Sequence, residues 1–305
     1  MGNGLTIAML GWKAQATTRH TLESWARTDL FHCGEEFFIY FNQRRPADDA
    51  LAAAFGVDCR GTEKNLGIWG GKEAILDQAK GDYIVFLDDD HDAVVSREET
   101  KRWIDESLAL LKADRADAVI LLDRFERLCA WGDSHFFDYH YIRELDPRAE
   151  KGLRVCPADW NHDTPYRFLH RLFRPGAARR RLNGAAPYLE RHPEKVWPEY
   201  IRRDGDFFVL DSAIQPFCDA PVMMSCDFYR KLCAWGRQHP CHRTILGFQE
   251  LEYVLNCSWW RKRHFRIAIC DGGIFGHHRV DDSWRSDNAN YNPDLSRTSA
   301  QGGVR

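Results

Sequence analysis

The chain has 305 residues, 44% of them hydrophobic and 29% charged, with a formal net charge of -3. This composition sustains a buried core, and the near-neutral balance carries no polyanion-binding signature, so nucleic acid is not an expected partner. No apolar run approaches the roughly 20 residues needed to cross a bilayer, the N-terminus lacks the basic region of a secretory signal, and the 10 cysteines form no Cys-x-x-Cys pair of the zinc-ribbon or redox kind. A cytoplasmic protein with reduced thiols is expected. Basic and aromatic residues between 160 and 203 leave room for peripheral contact at the inner face of a membrane.

Residues 5–10 form a short apolar run ended by Gly11, the pattern of a buried strand. A helix is predicted over 18–27, with Leu22 and Trp25 on one face, and a second strand over 36–41. Pro46 opens a helix that runs to 55, as proline in a first turn favours, and 57–59 reads as a short strand. The stretch from Gly61 to Gly67 has loop composition. Gly70-Gly71 then precedes a helix over 72–79, and the continuous apolar run 83–87 is the clearest strand in the chain. Ser96 and Glu99 make a capping-box pattern that starts a helix to 112, followed by a strand over 116–122.

This β-α-β-α-β rhythm predicts an α/β fold, a mostly parallel central sheet flanked by helices, with its ligand beyond the carboxyl ends of the strands. After Leu122 the rhythm breaks, and 123–210 is rich in Arg, His and aromatic residues. Pattern returns with a strand over 221–225, a helix over 227–235, a longer helix over 247–263, and strands over 265–270 and 274–278. The organisation expected is one domain over 1–280, with a regular first half (1–122) and an irregular second half (123–280), then a polar tail or flap over 281–305.

The best strand runs into Asp88-Asp89-Asp90-His91-Asp92. Adjacent carboxylates repel one another, and leaving them unpaired at a sheet edge is costly. A divalent cation relieves that cost. Mg²⁺ and Mn²⁺ take oxygen ligands and often use one or two carboxylates together with substrate phosphates. The alternative is a solvated acidic turn. Lys72, at a helix start after a double glycine, is placed to meet a phosphate, and Lys64 is a weaker candidate of the same kind. Neither lies in a Walker A sequence. Arg179-Arg180-Arg181, with Arg171 and Arg174 nearby, suits an anionic acceptor or membrane surface, or is simply solvated. Trp69, Trp160, Trp197 and Trp259-Trp260 offer faces for stacking on sugars, although most tryptophans fill cores.

Asn65-Leu-Gly67, then Gly71, then Ala79-Lys-Gly81-Asp82-Tyr-Ile-Val-Phe-Leu-Asp88-x-Asp90 resembles the donor half of family 2-type GT-A glycosyltransferases, over about residues 5–122. The resemblance implies a GT-A-like, Rossmann-like fold and a metal-dependent hexosyltransferase. Its donor is a nucleotide-diphosphate sugar, UDP-sugar by preference, its cofactor Mn²⁺ or Mg²⁺, its acceptor a glycan or glycolipid hydroxyl, and its stereochemistry inverting. Asp88 then faces the ribose side, Asp89 approaches the sugar, and Asp90 coordinates the metal with Asp88 and a late histidine, His277 in preference to His278. Leu10, Gly11 and Trp12 lie near the base, and Asn65 belongs to the donor motif. The family usually has an acidic residue after the second strand, where this chain has Asn42. A late Glu-Asp pair supplies the general base, and here the match is Glu250-Leu251. Glu250 is therefore the candidate base, and Asp219 and Asp227 are weaker ones. Spacing alone puts Glu250 and Glu252 on different helix faces. Two other readings stay open: a nucleotidyltransferase that forms the sugar nucleotide, and a non-catalytic carbohydrate-binding protein on the same fold.

Overall fold

In the computed structural model the described residues are 4–124, 173, 192–196, 198–219, 221–242, 244–278 and 280. The arginine run at 179–181 with Arg171 and Arg174, Trp160, Trp197 and the segment 281–305 lie outside them. Strand β1 (Leu5–Gly11) is buried along its whole length. It earns that burial by pairing in parallel on both sides, with β2 (Glu36–Asn42) and β4 (Tyr83–Asp88). Strand β3 (Asp58–Thr62) extends the parallel set beyond β2, so the predicted loop begins only after Thr62.

Among the described residues the central sheet has nine strands, in the order β3-β2-β1-β4-β9-β6-β12-β8-β7. Strand β9 (Val222–Ser225) inserts antiparallel between β4 and β6 (Ala118–Ile120). Strand β12 (Arg266–Cys270) lies parallel to β6, and, after the short helix α5 (Pro193–Val196), a hairpin of β7 (Ile201–Asp204) and β8 (Phe207–Asp211) finishes the edge. The expected α/β class with a largely parallel sheet flanked by helices is what is observed. Among the described residues no helix is long and apolar enough to cross a membrane.

Alternate residues of each strand face opposite sides of a sheet, and the core divides accordingly. Ala8, Leu10 and Phe86 join the layer under α3 (Gly67–Gln78) and α6 (Cys226–Gln238). Ile7, Met9, Val85 and Leu87 join the layer under α1 (Gln15–Thr28), α2 (Pro46–Ala54) and α4 (Arg97–Lys112). Ser96 caps α4 through the predicted box, accepting from the Glu99 amide while the Glu99 carboxylate accepts from the Ser96 amide.

The predicted long helix over 247–263 does not form. A two-strand ribbon, β10 (Thr244–Ile245) and β11 (Phe248–Gln249), turns at Leu246 and Gly247, both at positive φ. Glu250 is extended, and only then does α7 (Leu251–Leu255) begin. It stops at Asn256, whose side chain is committed to the Phe217 backbone, accepting from its N–H at 2.7 Å and donating to its carbonyl at 3.0 Å. After this stop α8 (Ser258–Arg261) restarts the helix.

A second small sheet pairs β5 (His91–Ala93) with β13 (Phe275–His277). Gly273 makes this possible. It sits at φ +97°, and an added Cβ would lie 2.1 Å from the Leu122 carbonyl oxygen. Ile274 and Phe275 then donate to the Leu121 carbonyl at 2.7 and 3.1 Å. Gly273→Ala is expected to cost about 3 kcal/mol or more, from the left-handed backbone penalty plus overlap with a backbone atom. Urea unfolding measures it, and an unchanged midpoint would contradict the close approach.

Candidate functional site

The parallel strands β1, β2 and β4 end side by side, with Asp88 in register with Leu10. Beyond them the chain turns through Asp89 and Asp90 into β5. The Trp12 amide donates to an Asp89 oxygen at 3.1 Å, latching the loop after β1 onto the middle acid. The β5–β13 pairing sets His277 opposite His91 and brings the His277 Nε2 to 3.0 Å from the Asp90 Oδ2. His91 Nδ1 accepts from the Asp88 amide at 3.0 Å.

Asp90, His91 and His277 offer one ligand atom each, all within 4.8 Å of one another. Asp88 stands at the same corner. Its Oδ1 is buried, 3.3 Å from the Lys72 ammonium. Burial raises the Asp88 pKa, Lys72 beside it opposes that rise, and Asp90 adds to it. Two carboxylates of like charge beside two imidazoles suit a divalent cation of the Mn²⁺ type, which accepts oxygen ligands and tolerates an imidazole. The residues present thus fit the expected metal.

Lys72 reaches this corner from inside the fold. It is fully buried on α3, with its Nζ 3.3 Å from Asp88 Oδ1, 3.3 Å from Asp219 Oδ2 and donating at 2.8 Å to the Asp219 carbonyl. Burial alone would lower its pKa, but the Asp219 and Asp88 carboxylates outweigh it and hold the ammonium above its ordinary value. The side chain therefore anchors Asp88. Asn42 is likewise inward, 3% exposed. It donates to the Gly67 carbonyl at 2.9 Å and accepts from the Leu66 amide at 3.5 Å, which ties the end of β2 to the start of α3. Asn65 accepts from the Gly67 amide at 2.9 Å, which helps explain why α3 begins at Gly67, earlier than predicted. Gly11 and Gly71 are close approaches: a Cβ would meet the Phe41 ring at 2.8 Å and Leu10 at 2.7 Å, respectively.

Glu250 is buried at the N-terminus of α7. Burial is the main cause that pushes its pKa up to about 8; Asp219 raises it further and Lys72 opposes it. Glu252 is raised for the same reasons, with Glu250 itself contributing. The two glutamates, expected on different helix faces, share one acidic neighbourhood, because Glu250 lies outside the helix in extended backbone. Asp219 precedes β9, which enters the sheet beside the carboxyl end of β4, with Val222 paired to Phe86. Asp227 follows β9 at the other end, where Ser225 pairs with Tyr83; it is exposed and paired with Arg230, away from the acids. Trp69 and Trp260 are core residues, and Trp259 stacks on Trp235 at 4.0 Å between ring centroids.

The carboxylate–imidazole cluster lies beyond the carboxyl ends of parallel strands, where α/β sheets of this kind place their ligands. No family model matches the chain, and no curated protein matches it either. Among solved structures, residues 1–349 of S. aureus TarS are similar at 15% identity and a TM-score of 0.32, over 39% of this chain and 35% of that one, so the match spans about a third of that TarS chain. Glucosyl-3-phosphoglycerate synthase from Mycobacterium tuberculosis, in complex with Mn²⁺, UDP and glucosyl-3-phosphoglycerate, is similar at 13% identity and a TM-score of 0.45, over 98% of this chain and 77% of that one. Likeness this distant leaves function to the geometry of the site.

Proposed function

We propose that the protein transfers a sugar from a nucleotide-diphosphate sugar, UDP-sugar by preference, to a hydroxyl of a glycan or glycolipid acceptor, with inversion. The observation that carries this reading is the 3.0 Å approach of His277 to Asp90, just beyond the carboxyl end of β4 and beside Asp88. A bound Mn²⁺ or Mg²⁺ supplies Lewis-acid stabilisation of the departing diphosphate. Asp88 and Asp90, with His277, would hold it. Lys72 fixes Asp88, and Asp89 fixes the Trp12 loop, so Leu10, Gly11 and Trp12 form the floor for the base. Asn42 and Asn65 shape that floor from behind.

Glu250 is the base in this reading, taking the proton of the acceptor hydroxyl. A carboxylate whose pKa lies near 8 is well matched to this transfer near neutral pH. It is active only when deprotonated, so kcat/KM is expected to climb as pH rises through about 8 and then level off. Stability runs the other way. The native state holds a proton that the unfolded chain releases, so folding stability falls as pH rises from about 4.5 to about 8.

The test is nucleoside diphosphate release from a panel of nucleotide sugars with Mn²⁺ and saccharide acceptors. Glu250→Gln should retain UDP affinity within about twofold and lose about 10²–10⁴-fold in turnover. A fully active Glu250→Gln enzyme removes Glu250 from the role of base. Absence of turnover with every donor argues against the transferase reading.

A further inference from the structure

Successive residues of a strand point to opposite faces. His91 and His277 share one face of the β5–β13 ribbon, as directly paired residues do. Asp92 and His278 belong to the other face, and helix α1 packs there with His20. Three polar atoms converge. His20 Nε2 is 2.9 Å from Asp92 Oδ2, His278 Nδ1 is 3.2 Å from the same oxygen, and the two nitrogens are 3.1 Å apart.

Hydrogen bonds do not satisfy this triangle well. A neutral imidazole has one N–H. If both nitrogens carry protons toward Asp92, two N–H groups crowd each other. If only one does, a bare nitrogen lone pair faces the carboxylate. A cation capping the triangle uses all three lone pairs at once. Tetrahedral zinc with ligands at about 2.0–2.1 Å places neighbouring ligand atoms about 3.3 Å apart, close to the separations found here. The rings meet at 76°, with centroids 4.7 Å apart, so the imidazoles reach one point from different directions.

The surroundings are built as ligand support. The second oxygen of Asp92 lies 3.0 Å from the buried Thr21 hydroxyl, which leaves Oδ2 presented to the histidines, and such outer contacts orient metal ligands. The His278 amide donates to the Asp90 carbonyl at 2.8 Å, and the Val280 amide donates to Thr17 Oγ1 at 3.2 Å. His20 and His278 are 38% and 48% exposed, which leaves an entry path and a fourth position for water.

We infer that His20, Asp92 and His278 form a second divalent-cation site, of the two-imidazole, one-carboxylate type that takes Zn²⁺. The site shares no ligand side chain with the cluster assigned to the donor. Its cation bridges α1, β5 and the segment after β13, and so clamps the ribbon that carries His277.

Metal-stripped full-length protein titrated with Zn²⁺ by calorimetry, and with Co²⁺ by visible absorption, tests this without any sugar nucleotide. Asp90→Ala/His277→Ala should retain a tight Zn²⁺ equivalent and the absorption of tetrahedral Co²⁺. His20→Ala and His278→Ala should each lose that equivalent, with metal-free melting curves confirming that they fold. His20→Gln and His278→Gln are the second pair, should the alanine variants melt early. Unchanged Zn²⁺ uptake in the folded His20 and His278 variants overturns the site. So does the absence of Zn²⁺ binding in Asp90→Ala/His277→Ala, which would mark the triangle as a hydrogen-bonded triad. Neither result bears on whether the donor site binds UDP.

Discussion

Replacing Lys72 with methionine is expected to lower the stability by about 3–5 kcal/mol, the range for breaking a buried ion pair from one side. The ammonium is fully buried between Asp88 and Asp219. It joins α3, the end of β4 and the approach to β9 at one point. Methionine fills a similar volume, so packing changes little and the loss is electrostatic. Asp88 and Asp219 are left facing each other in a buried setting, with Glu250 and Glu252 near enough to feel both. The double change Lys72→Met/Asp219→Asn should recover part of the loss, because it removes one of the stranded charges, and a double-mutant cycle isolates the coupling. Urea unfolding at neutral pH measures it. A loss below about 1 kcal/mol, the scale of exposed ion pairs, would show that Lys72 is not the anchor described.

Asp90→Ala should leave folding nearly intact and reduce kcat/KM by about 10³-fold or more, corresponding to about 4 kcal/mol of transition-state stabilisation. Asp90 is buried, 3% exposed, and its carboxylate raises the Asp88 pKa, so its removal relieves repulsion as well as deleting a ligand. His277 keeps its place through the β5–β13 pairing. Steady-state assays over a Mn²⁺ series distinguish outcomes. The deficit should persist at saturating metal, because a hard-cation ligand is missing. Full rescue by excess Mn²⁺ would assign Asp90 only to affinity.

Much of this was legible in local sequence. The apolar runs ending at Gly11 and Asp88 are strands because both faces are buried, and continuous hydrophobicity signals that directly. Asp88 and Asp90 lie where a parallel sheet places its ligands. What was not legible depends on long-range contact. Lys72 looked like a phosphate ligand because nothing local to α3 reveals Asp219, 147 residues away in sequence. Asn42 stands where the resembled family has an acidic residue, yet the start of α3 takes both ends of its amide. The helix expected over 247–263 has adequate periodicity, but Asn256 is pulled into Phe217 and Glu250 into extended backbone. That same break gives Glu250 its burial. The antiparallel β9 carries the local signature of any buried strand, and only the sheet order shows that it delivers Asp219 to the acids. His20 gave no sign of its partners, because the pairing with His278 spans 258 residues.

The central claim is that the acidic turn after β4 binds a nucleoside diphosphate through a divalent cation. Isothermal titration of UDP into the protein with and without Mn²⁺ tests it most directly. Measurable binding is expected with Mn²⁺, at least tenfold weaker binding without it, and loss of the Mn²⁺ dependence in Asp90→Ala. UDP binding of equal strength with and without Mn²⁺, or unchanged Mn²⁺-dependent binding in Asp90→Ala, would contradict it.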